Sequence, residues 1–166
     1  DIFADLAAIE TQFHHFVRTI PRTGLVISNA LEPALERVLG DGCWTPVERL
    51  GVPVGWRAEG EDDQRFAVSY GGGVFGEVQW DLLGEHNRMN ALAAIAAARH
   101  ADIPPSQAID ALARFQNVRR RLEVRGVADG VRVYDDFAHH PTAIATTITG
   151  LRRKVGGNRV LAVLEL

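Results

Sequence analysis

Gly84-Glu85-His86-Asn87-Arg88-Met89-Asn90, running on into Ala91-Leu92-Ala93-Ala94-Ile95, decides the architecture. Alanine is the best helix former, so the stretch predicts a helix over 87–100. Asn87 and Asn90 stand three residues apart at its start, on one face and near its positive end. Working outward, apolar residues Leu6, Ile9, Phe13, Phe16, Val17 and Ile20 recur at three- and four-residue spacing and predict a helix over 5–20. Pro21 and Gly24 end it, and Leu25-Val26-Ile27-Ser28 reads as a buried strand. A second short helix spans 32–39, closed by Gly40. Alternating helices and strands point to an α/β fold.

Between 43 and 83 the period changes. Trp44, Val47, Leu50, Val52 and Trp56 lie among prolines and glycines, and then Phe66, Val68 and Tyr70 alternate with polar or small neighbours. Val74, Val78 and Trp80 continue that period of two, so Gly71-Gly72-Gly73 reads as a hairpin turn. A phosphate loop is the other reading of the triplet, but no Lys-Ser/Thr follows it. Downstream, Pro104-Pro105 opens a helix over about 105–115, where a missing N–H costs nothing. Strands around Leu122-Val124 and Val131-Val133 flank a turn at Ala128-Asp129-Gly130. Pro141 starts a last helix reaching about Lys154, and 160–166 reads as a final strand. The basic run Arg119-Arg120-Arg121 marks a domain boundary near 118. The expected organisation is therefore 1–117, the latter part of a mostly parallel sheet domain with an antiparallel hairpin, and 118–166, the start of a Rossmann-like domain.

The 166 residues are 46% hydrophobic and 23% charged, with a net charge of −3, so there is a core to build and no basic footprint for nucleic acid. No apolar run approaches the length of a membrane helix. The single Cys43 excludes an internal disulfide, fits a reducing compartment such as the cytoplasm, and reads as a small buried hydrophobe.

Several residues could carry chemistry. An Asn amide sets a donor beside an acceptor, which matches the N6/N7 edge of adenine, although Asn87 is equally a helix cap. His86 reads as an orienter of the helix start. Asp135-Asp136 stand at the end of a strand before a helix, where α/β sheets hold ligands. Such a carboxylate accepts ribose hydroxyls, binds a metal, or merely shapes a turn. His139-His140 lack partners at ligand spacing, so zinc is disfavoured. Arg121 is a permanent charge able to reach phosphate oxygens or to pair with Glu123 or Asp136. The helix at Pro141 turns free N–H groups toward the same loop and would attract an anion.

In this order the segments resemble the Mur ligase family of ATP-dependent amide-forming enzymes. Gly84-x-His86-Asn87-x-x-Asn90-Ala91-Leu92-Ala93-Ala94-Ile95 is similar to the family's central-domain helix motif, and Arg121-x-Glu123 with Asp135-Asp136-Phe137-Ala138-His139-His140-Pro141-Thr142 to its entry into the C-terminal domain. The Asp-Asp-aromatic-x-His-His-Pro form is most like the branch acting on UDP-N-acetylmuramate. The resemblance implies ATP and Mg2+, with Asn87 and Asn90 on the adenine, Asp136 on the ribose and Arg121 on the ribose or phosphates. His139 would line the cleft as the catalytic-loop histidine. It implies UDP-N-acetylmuramate as one substrate and the murein tripeptide L-Ala-γ-D-Glu-meso-diaminopimelate as the other, with L-alanine as the alternative; a non-catalytic nucleotide-binding module is the alternative of another class. The family's phosphate loop and magnesium-binding Glu are expected upstream of Asp1, and further C-terminal sequence beyond Leu166. Residues 1–166 alone are expected to lack ligase activity. Some members use a carbamylated lysine on the first helix; Gln12 falls near that position, and Lys154 is this chain's one lysine.

Overall fold

The computed structural model describes residues 2–164. In chain order the elements are α1 (Leu6–Val17), β1 (Val26–Asn29), α2 (Pro33–Gly40), β2 (Val47–Leu50), β3 (Trp56–Glu59), β4 (Arg65–Tyr70), β5 (Gly73–Gln79), α3 (Glu85–His100), α4 (Pro105–Leu112), β6 (Glu123–Ala128), β7 (Val131–Asp135) and α5 (Pro141–Val155). Five strands form one sheet in the order β1-β2-β3-β4-β5, and β6-β7 form a separate antiparallel pair. Within the large sheet β1-β2 and β2-β3 run parallel, while β3-β4 and β4-β5 run antiparallel. The α/β architecture, with its parallel strands and hairpin excursion, is as the periodicities predict.

Local chemistry explains most element ends. Asp5 caps α1, its carboxylate accepting the Ala8 N–H at 2.8 Å. Gly71 and Gly72 both take positive φ, which lets a two-residue turn follow the strand twist between β4 and β5. Gly40 is the last residue of α2 rather than its stop; Asp41 stands at the cap. The α1 helix ends at Val17, earlier than Ile20, where the turn bonds Thr19 N–H to Phe16 O and Ile20 N–H to Val17 O close the chain. Cys43 is half-buried, and its Sγ faces the Thr45 carbonyl at 3.3 Å.

Helix α3 buries Arg88, Ala91, Leu92, Ile95 and Ala96, one continuous stripe at three- and four-residue spacing. That stripe lies on Trp56, Phe66, Val68 and Val78 of the sheet, with Ile109 of α4 closing the side. Each large side chain removed from water there contributes roughly 1.5–3 kcal/mol. The second region is built differently. From residue 113 to 164 only Gly150 is buried, and Val124, Val127, Val131 and Val133 of the hairpin are all exposed. The expected final strand is not formed among the described residues 160–164, because no neighbouring strand takes up its backbone groups; its last two residues lie outside the described part.

Candidate functional site

The turn into α3 is set by Gly84, the cap residue, whose φ of 93° no side chain holds comfortably. A Cβ there would also stand 2.6 Å from the His86 ring. Asn87 is thus inside the first turn and is not the cap; its Nδ2 donates to the Leu83 carbonyl at 2.8 Å. This bond orients the side chain while leaving its oxygen and one N–H available. Asn90, one turn on, is exposed.

Across from this turn stands the loop between β7 and α5. Asp136 is its organiser: Oδ1 accepts the Ala138 N–H at 2.8 Å and the Thr147 hydroxyl at 3.4 Å, and Oδ2 accepts the Leu122 N–H at 2.8 Å. A carboxylate has about four acceptor positions, so one on Oδ2 is left over. The bond to Leu122 also holds a residue at φ 47°, and Arg120 is at φ 58°. Asp135 serves a different purpose. Arg125 hydrogen-bonds it at 2.7 Å, which, with the charges of Arg125 and Arg120, holds its carboxyl below the ordinary Asp range.

Arg121 does not make the pairs expected of it. Glu123 takes the Arg120 N–H and the Arg125 guanidinium instead, and Asp136 takes backbone amides. Arg121 is exposed and free of carboxylate partners among the described residues. His139 is exposed on the loop, with Nδ1 3.1 Å from the Phe137 carbonyl. His140 caps α5 without a side-chain bond, so the first N–H groups of that helix stay open to an anion.

His86 joins the two sides. Burial lowers its pKa below the ordinary histidine value; Asp136 and then Asp63 oppose the shift, and Arg121 adds to it. Although the residue retains solvent exposure, its ring leans on Gly84. Charges from the second region thus reach the first turn of α3. Among the described residues no three His, Cys, Asp or Glu side chains converge into a ready-made metal cage. Two open clefts, lined by Asp63, Leu83 and Arg153 and by Gly60, Arg88 and Arg153 among others, lie beside α5 and include none of Asn87, Asn90, Arg121, Asp136 or His139.

Sequence reasoning missed Asp63, Arg88, Gly150 and Arg153. Arg88 is 6% exposed, donates to the Ala58 and Gly60 carbonyls at 2.7 and 2.8 Å, and lies 5.2 Å from the Phe66 ring centroid. Its place on the apolar stripe of α3 was the available signal. Asp63 ends the acidic run Glu61-Asp62-Asp63 and Arg153 lies in the basic last turn of α5, and nothing local in either run announces their pairing.

The fold and these two motifs define a member of the Mur ligase family, to which the chain belongs: residues 120–166 match the model of the Mur ligase glutamate ligase domain. Among individual proteins it is 51% identical to the UDP-N-acetylmuramate–L-alanyl-γ-D-glutamyl-meso-2,6-diaminoheptandioate ligase of Haemophilus influenzae, over 99% of this chain and 37% of that protein. It is 36% identical to the UDP-N-acetylmuramate–L-alanine ligase of Acidothermus cellulolyticus, over 98% of this chain and 36% of that one. The solved murein peptide ligase of Psychrobacter arcticus superposes with a TM-score of 0.71 at 42% identity, covering 95% of this chain and 34% of that one. The chain thus spans little more than a third of the length of the relatives it matches.

Proposed function

We infer that this chain forms one wall of the nucleotide site of an ATP-dependent ligase that joins L-Ala-γ-D-Glu-meso-diaminopimelate to UDP-N-acetylmuramate through an acyl phosphate. The observation carrying this reading is that the second region packs on the Gly84–Asn90 turn, Gly150 closing on Gly84, so that the Asp136 carboxylate of its loop acts on His86 within that turn. In this reading Asn87 and Asn90 hold the adenine edge, the oriented Asn87 amide presenting its acceptor and remaining N–H. The last acceptor position on Asp136 Oδ2 takes a ribose hydroxyl. Arg121, without a carboxylate to neutralise it, meets the phosphates. His139, at the lip of the loop, lines the approach of the reacting groups. Phosphoryl transfer asks mainly for alignment and charge neutralisation, which these groups supply on one side of the nucleotide. Residues up to about 117 would belong to the central domain and those from 118 to the C-terminal one; the separate sheets support that boundary. The higher identity to the tripeptide-adding relative than to the L-alanine-adding one supports the tripeptide as acceptor.

The test uses the full-length protein containing this segment, supplied with ATP, UDP-N-acetylmuramate and either the tripeptide or L-alanine. The expected product is UDP-muramoyl-tripeptide; turnover with L-alanine alone would replace the acceptor assignment. Asn90→Ala should weaken ATP affinity by roughly 5- to 150-fold, the range for a lost specific base contact. Unchanged ATP affinity in both Asn87→Ala and Asn90→Ala would remove the nucleotide reading. Residues 1–166 alone are expected to form no product.

A further inference from the structure

The geometry points to Arg153 as a positioning residue: acting through Asp63, it holds the second region against the Gly84–Asn90 turn and so sets the affinity for the nucleotide read there. The inference rests on the nucleotide reading above. Asp63 is 6% exposed, and its position is fixed from behind, where the Trp80 indole donates to its main-chain carbonyl at 2.9 Å. Its two carboxylate oxygens face different regions. Oδ2 accepts the N–H of Gly84, the cap of α3, at 2.9 Å, while Oδ1 accepts from Arg153 Nη1 of α5 at 3.3 Å. The carboxylate therefore registers the second region on the residue that turns the chain into Asn87.

A second, independent feature lies at the same place. Gly150 is buried one turn before Arg153, and a Cβ on it would stand 3.4 Å from both the Cα and the N of Gly84. Glycine against glycine lets the α5 backbone approach the cap turn closely, and the Arg153–Asp63 bond then fixes the rotation of α5 on that seat. The neighbouring cations make no such contact: Arg152 turns back to the Gly156 and Asn158 carbonyls of its own helix end. Loss of the bond leaves Asp63 Oδ1 buried without its cationic partner, which is the costly half of breaking a partly buried pair.

The test compares Arg153→Gln, Arg153→Lys and Arg152→Gln in the full-length protein. Arg153→Gln should raise the KM for ATP roughly three- to tenfold, the net effect of one ordinary hydrogen bond, with little change in kcat or in the KM for the other substrates. Arg153→Lys should restore most of it, and Arg152→Gln should behave as the parent. Hydrogen exchange without nucleotide should speed up at the amides of 84–88 in Arg153→Gln only. A parental ATP KM in Arg153→Gln overturns the inference, as does a KM rise matched by Arg152→Gln. If the parent itself shows no ATP dependence, the nucleotide reading falls; unchanged exchange then sinks the latch as well, and faster exchange retains the contact while removing its role in affinity.

Discussion

Residues 26–112 and residues 119–164 are both α/β in composition, yet they are stabilised differently. The first stretch sandwiches a five-stranded sheet against α3 and α4, with Trp56, Phe66, Val68, Val78, Leu92 and Ile95 nearly or wholly out of water. The second has one hairpin and one helix, and its four hairpin valines remain open. A two-stranded hairpin is marginal in water without a further layer. What orders the second stretch is polar and local, Asp136 gathering its loop and Arg125 on Asp135, together with one long-range contact, α5 seated on Gly84. Stability is therefore concentrated in one half, while the candidate site takes residues from both.

That contrast is tested most severely by Trp56→Ala. The indole is fully buried, packs 4.8 Å from Tyr70 and 5.7 Å from Phe75 by ring centroids, and donates to Glu48 at 2.6 Å. Its truncation should cost about 3–5 kcal/mol in denaturant unfolding. Val127→Ala, on the exposed hairpin, should fall within about 0.5 kcal/mol of the parent. Equal costs at the two positions would show that the two halves unfold as one evenly stabilised unit.

Arg88→Met sharpens the comparison from inside the stable half. Methionine keeps the apolar stem of the helix stripe but removes the donors to the Ala58 and Gly60 carbonyls. Arg88 Nε is itself buried without a partner, so part of the native arrangement is already costly. The expected net loss is about 1–3 kcal/mol, the cost of the stranded carbonyls. A gain in stability would mean that desolvating the guanidinium outweighs its bonds, as happens at some buried ion pairs.

Legibility in the sequence follows the same division. Period-2 alternation located β4 and β5, because burial on one face leaves a regular trace, whereas alanine content located α3 and the prolines at 105 and 141 located α4 and α5. The pattern failed at 160–164, a continuous apolar run that finds no partner strand among the described residues. In the candidate site, residue types were readable and partnerships were not. Asn87 read as a cap because Asn favours caps, yet Gly84 takes that position, since its positive φ lets the chain enter the helix against the His86 ring. Arg121 read as able to reach phosphate oxygens or to pair with Glu123 or Asp136; the pairing is not made, because Arg125, at the β6 register shift, reaches Asp135 and Glu123 instead. Contacts ninety residues apart, such as Arg153 to Asp63, leave no local pattern at all.

The smallest effect concerns the residue where the halves meet. His86 titrates below its ordinary value because burial disfavours the imidazolium, with the Asp136 and Asp63 carboxylates pulling the other way. The folded state therefore binds fewer protons than the unfolded one in the window between the depressed value and about 6.5, the ordinary histidine pKa. In that window stability rises with pH, and it falls as His86 is forced to protonate on acidification. Asp63→Asn removes one opposing carboxylate and should push the His86 pKa lower still, measurable by the pH dependence of its imidazole NMR signals. Asp135 contributes at a different pH: its depressed carboxyl supports the second region above about 3.8 and loses that support as the pH falls further. If the His86 signals titrate at or above the ordinary value, the ring is not desolvated against Gly84, and the approach of the two regions at that turn is looser than the Gly150 seat requires.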